Sequence, residues 1–152
     1  MDCEAPYGVG APSVGDMTEF GAVEYESRQT FHGLDCSEET FSAFLTFLRR
    51  FRPPYVMVSD NPAYDWQWIN FYLWRYFGKN PLGHSARRIG DFFAGLNGNF
   101  GATQAWKRYR RTPHDHNPVN DAMGNVEAFE RMLEIERAGG YRKPLRPRHS
   151  GT

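Results

Sequence analysis

Between Pro62 and Phe77 the chain carries Tyr64, Trp66, Trp68, Ile69, Phe71, Tyr72, Leu73, Trp74 and Tyr76. Read as a helix, this stretch is apolar nearly all the way round, so it needs cover on two sides. Asp60-Asn61-Pro62 reads as a turn and helix start, with proline where no backbone N–H is wanted. Just upstream, Tyr55-Val56-Met57-Val58-Ser59 is a continuous apolar run behind the helix-stopping pair Pro53-Pro54. A short run of this kind reads as a buried central strand. One layer of packing cannot satisfy a buried strand that feeds a helix buried on two sides. The expected class is therefore α/β, a sheet flanked by helices.

Local chemistry predicts the other elements. Ser37 is a good N-cap, with Glu38 and Glu39 in the first turn and Phe41, Phe44, Leu45 and Leu48 on one face. Thr18 to Tyr25 and Thr30 to His32 read as strands joined through Glu26-Ser27-Arg28. Residues 6–17 and 78–87 read as loops, and Arg88 to Leu96 and Ala102 to Arg110 as short helices. Asn117 is a second N-cap, and Pro118 suits the first helical position. Ala122, Val126, Phe129 and Leu133 then recur at helical spacing, predicting a helix from Pro118 to about residue 138, stopped by Gly139-Gly140. With no repeat and no linker, residues 1–138 are expected to form one domain. Residues 139–152, with Arg142, Lys143, Arg146 and Arg148 among prolines, are expected to form a basic, mobile tail.

A net charge of zero hides an asymmetry: residues 1–40 hold nine acids against Arg28 alone, a net of −8, and the rest of the chain carries +8. One part can supply ligands for cations while the other meets a polyanion, or the two can neutralise each other in the fold. Cys3 and Cys36 make neither a disulfide framework nor a zinc site. No apolar run reaches the roughly 18 residues of a membrane span. The N-terminus lacks the features of a signal peptide, so a cytoplasmic protein with free thiols is expected.

The carboxylates come in a suggestive order. If residues 1–5 end a strand, the period of two puts Asp2 and Glu4 on one face and turns Cys3 the other way. Two carboxylates on one face repel unless a cation sits between them; the alternative is a solvated terminus with two acids in it. Asp65, inside the aromatic helix, is costly unless paired or metal-bound, or else is a first-turn acid facing solvent. Asp60 is its rival. His116 and Asp121 could be a general base and a metal ligand, or a loop histidine and a helix-start aspartate; His114 competes with His116. Trp106, Lys107, Arg110 and Arg111 suit a phosphate backbone with a stacked base, or a basic helix end on a solvated face.

Taken in order, Asp2-Cys3-Glu4, Asn61-Pro62-Ala63-Tyr64-Asp65 and His116-Asn117-Pro118-Val119-Asn120-Asp121-Ala122 resemble the three motifs of the DEDDh subgroup of DnaQ-like (ribonuclease T-type) 3′–5′ exonucleases. Trp106 ahead of the third motif is most similar to small exoribonuclease members. The resemblance implies a ribonuclease H-like fold with a mixed central sheet that opens on an antiparallel meander. It implies Asp2, Glu4, Asp65 and Asp121 as metal ligands and His116 as general base. The cofactor would be two Mg²⁺ ions, or Mn²⁺. The substrate would be the 3′ end of single-stranded RNA or DNA, RNA being favoured, contacted by Asn61, Trp106, Lys107, Arg110 and Arg111. A homodimer is expected, the helix around Trp74 offering surplus apolar surface. With only Met1 ahead of Asp2, either the first strand is short here or the true start lies upstream. The competing readings are a nucleic-acid-binding module whose site has decayed, a single-stranded DNA exonuclease, and another phosphodiesterase or nucleotide hydrolase on the same fold.

Overall fold

A computed structural model describes residues 1–141. The chain runs β1 (Asp2–Glu4), β2 (Glu19–Val23), β3 (Thr30–Gly33), α1 (Glu38–Leu48), β4 (Met57–Ser59), α2 (Pro62–Phe77), β5 (Ala86–Arg88), α3 (Ile89–Asn97), a 3₁₀ turn (Ala105–Tyr109) and α4 (Pro118–Arg137). The class is mixed α/β, as the apolar patterning requires. Strand pairing gives two small sheets rather than the single mixed sheet expected. β1, β2 and β3 form an antiparallel meander, and β4 pairs in parallel with β5. The two sheets meet where the Met1 amino group donates to Val58 O at 2.8 Å, which sets β4 beside β1.

The aromatic helix is buried along one stripe rather than on the two sides expected: Trp74 is 52% exposed, and Trp66 and Phe71 are half-buried. Trp68, Ile69, Tyr72 and Leu73 of α2 are buried in one cluster with Phe20, Phe41, Phe44 and Phe47. Phe41 of α1 lies 5.2 Å from the Tyr72 ring centre and 5.0 Å from that of Phe20, so α1 joins α2 to the meander. Ser37 caps α1 by accepting from Thr40 N–H, and Gly78 ends α2 in the left-handed conformation at φ 60°. A second cluster, Ile89, Phe93, Trp106, Ala128 and Met132, packs α3 and the 3₁₀ turn on α4. α4 covers the other face of the meander and meets β2 at Gly21, where a Cβ would stand 2.3 Å from the Pro118 carbonyl. Glycine inside a strand is the sequence's mark of that close approach.

Three element assignments change. The apolar run becomes strand only from Met57, and Val56 is 61% exposed. β5 lies in the stretch read as a loop, its charged Ala-Arg-Arg sequence hiding an edge strand. The helix expected at residues 102–110 is a single 3₁₀ turn. Among the described residues no helix is long and apolar enough to cross a membrane. The expected basic tail lies outside the described residues beyond Tyr141.

Candidate metal centre

β1 places Asp2 and Glu4 on the face toward α4, while Cys3, 4% exposed, packs into the opposite core. Asp121 lies in the first turn of α4, whose Asn117 cap accepts from Val119 and Asn120 N–H. Oxygen atoms of Asp2, Glu4 and Asp121 lie within 4.8 Å of one another. A second group, His114, His116 and Asp121, meets the same limit. Asp121 therefore belongs to both groups. His116 Nδ1 stands 3.6 Å from Glu4 Oε1, and its backbone takes the left-handed conformation at φ 61°. The two imidazole rings are 4.5 Å apart.

Asp65, 2% exposed, sits beside this cluster rather than in either group. Its Oδ1 accepts the Cys3 N–H at 3.1 Å, which ties α2 to the strand carrying Asp2 and Glu4. Its Oδ2 is buried with no hydrogen-bond partner among the described residues. Asp121 Oδ2 is the same. His114 Nδ1 lies 2.7 Å from it, but without the direction of a hydrogen bond. Burial, then the charges of Asp65 and Asp121, push the Asp2 carboxyl up to about 8. Burial also raises Asp65 to about 6, against the pull of the chain's amino group and of the Cys3 N–H. Burial raises Glu4, with His116 opposing it.

These features test whether a divalent cation fits. The donors are carboxylate oxygens, the choice of hard cations such as Mg²⁺ and Ca²⁺. Two buried oxygens want a partner, and three acids that resist joint ionisation would ionise together around a cation.

The basic residues come out differently. Trp106 is fully buried, its Nε1–H donating to Thr103 O at 3.0 Å, so the ring is core and no platform for a base. Arg110 turns inward instead of toward a phosphate: its Nη2 donates to Asp121 Oδ1 at 2.8 Å, and its side chain is only 9% exposed. It lies across α4 at Gly124, where a Cβ would stand 2.4 Å from Nε. The sequence reading missed this partner of Asp121, and the glycine inside a helix was its only trace. Lys107 pairs with Asp60 Oδ2 at 2.6 Å, which accounts for the rival aspartate. Arg111 stays 77% exposed, 4.0 Å from Glu127. Asn61 precedes α2 on the surface and makes no side-chain cap.

Fold and site together define an α/β protein with a carboxylate–histidine cluster able to hold a metal ion. No family model matches the chain. A search of curated proteins finds similarity to the 3′–5′ DNA exonuclease Cap18 of Escherichia coli, 30% identical over 84 residues. That match takes in 49% of this chain, which spans 42% of the relative's length.

Proposed function

We propose that this chain is a metal-dependent 3′–5′ exonuclease acting on single-stranded nucleic acid. One observation carries the reading: Asp2 and Glu4 from β1 converge with Asp121 from α4 within 4.8 Å, and the same aspartate gathers His114 and His116 within that limit. The partial similarity to a protein named as a 3′–5′ exonuclease supports it. So does the opening of the fold on an antiparallel meander, which the resemblance to ribonuclease H-like proteins implies.

Asp2, Glu4, Asp65 and Asp121 would hold Mg²⁺ or Mn²⁺. Two such ions, when bound, stabilise the attacking and leaving oxygens of an in-line phosphoryl displacement. The protein's own residues do the rest. His116 takes the proton of the attacking water at Nε2, because Nδ1 is turned to Glu4. Glu4 then stabilises the imidazolium it faces. His114, 2.7 Å from Asp121 Oδ2, would give way to an ion held by that oxygen. Arg110 keeps Asp121 Oδ1 occupied, so the carboxylate offers one defined oxygen to the site. Arg111, and Lys107 at 44% side-chain exposure, are the basic groups left to meet substrate phosphates. Trp74 of α2, 52% exposed, is the surface we assign to a homodimer.

The resemblance to small exoribonucleases favours RNA, and the relative's name favours DNA. A gel time course on 5′-labelled single strands of each, with Mg²⁺, Mn²⁺ or chelator, ranks them. The expected result is a metal-dependent ladder shortening from the 3′ end, lost in Asp121→Asn. Binding without product in every metal would overturn the enzyme and leave a binding module.

A further inference from the structure

A cavity of about 250 Å³ lies in line with β1, on the Met1 side. Its walls alternate in a telling way. Val23, Glu24 and Tyr25 form one edge and Tyr55, Val56 and Met57 the other. Phe44, Phe47 and Leu48 of α1 close one face, while Asn125, Val126 and Phe129 of α4 close the opposite one. The cavity is thus a gap within the sheet layer, bounded by two strand edges and two helices.

Strand register says what fits such a gap. β1 pairs with β2 only from Asp2↔Gly21 to Glu4↔Glu19. Val23 pairs on its far side with Thr30 of β3, and among the described residues no strand pairs with its near side. β4 uses one edge for β5, and its other edge receives a single hydrogen bond, from Met1 to Val58 O. The gap therefore offers an antiparallel edge on one side and a parallel edge on the other. Asn125, 3% exposed, adds an independent mark: neither its Nδ2 nor its Oδ1 has a hydrogen-bond partner among the described residues. A carboxamide offers one acceptor and a donor group, the complement of a peptide bond.

We propose that this gap is a strand slot, filled by an extended polypeptide segment joined to Met1 and running collinear with β1. The walls are about three residues long on each edge, roughly 10 Å of extended chain. Because Cys3 packs toward α1 and α2 and Asp2 toward α4, alternate residues of the segment meet the phenylalanines of α1 and then Val126 and Phe129 of α4. Both parities face apolar side chains, so the segment is apolar at every position, as strands covered on both faces are. Main-chain pairing holds it, and the apolar walls select it.

The test needs no assumption about catalysis. The full chain is compared with two versions extended ahead of Met1, one by Lys-Ile-Val-Val and one by Lys-Pro-Gly-Pro, which cannot pair. The first should raise Tm by about 5 °C or more, the scale expected for three buried aliphatic side chains in a chain of this size. It should also slow hydrogen exchange at Val23 and at Val58, whose carbonyl already accepts from Met1 on the gap side. The proline version should do neither. Equal Tm for all three chains, or an equal rise with both extensions, would overturn the slot. So would a dimer of the unextended chain that already protects Val23 and Val58, since a second copy would then be the occupant.

Discussion

Arg110 and Asp121 form a pair that neither can leave cheaply. With Asp121 1% exposed and Arg110 9%, removing the cation strands a buried carboxylate beside Asp2 and Glu4. Arg110→Met should therefore lower stability by about 3–5 kcal/mol without metal, and saturating Mg²⁺ should recover part of that, because the ion replaces the lost charge. Denaturant melts with and without Mg²⁺ check both parts. Trp106 makes the opposite kind of prediction. As a fully buried ring it should cost about 3–5 kcal/mol when cut to alanine, a loss visible in the same melts. A base-stacking residue would leave stability alone. Gly21 belongs with these. An added Cβ must displace the Pro118 carbonyl at 2.3 Å, so Gly21→Ala should cost about 1–3 kcal/mol and push Asp121 away from Asp2. Mn²⁺ titration should show weaker binding in that variant than in the wild type.

At the scale of elements, β1 and α2 carry acids that prefer to be protonated in the folded chain. Asp2 moves from an ordinary 3.8 up to about 8 and Asp65 to about 6, both chiefly through burial. Over that window the folded state holds more protons than the unfolded one, so metal-free stability falls as pH rises from about 4 to 8 and then levels off. Mg²⁺ should flatten the fall, since it favours the ionised acids, and urea midpoints measured across that range with Mg²⁺ or EDTA check it. The elements were legible where a local rule was strong. Ser37, Asn117 with Pro118, and the aromatic run of α2 each announced a helix before any packing was known. Illegible elements lacked such a rule. β5 is three residues, two of them arginine, and exists because β4 offers it a parallel edge. The 3₁₀ turn carries apolar residues at helical spacing, yet Trp106 pins it by bonding Thr103 O. Of the site, Asp2, Glu4, Asp121 and the histidines could be ordered along the chain. The inward turn of Arg110 could not, since an arginine among basic residues looks the same whether it meets solvent or a buried acid.

In the whole molecule the charge asymmetry has a partial resolution. Arg28, alone among the acids of the first forty residues, reaches Glu130 of α4 at 2.7 Å. Lys107 and Arg110 are drawn to Asp60 and Asp121, so much of the central basic stretch is spent on internal partners. The Cys3–Asp65 hydrogen bond spans 62 positions, and Asp121 comes from farther on still. A chain still emerging from the ribosome therefore holds Asp2, Glu4 and Asp65 but has neither the histidines nor the aspartate that closes the cluster. Any chemistry performed there waits for α4 to be synthesised and docked, so the cluster is complete only once nearly the whole described chain has been made.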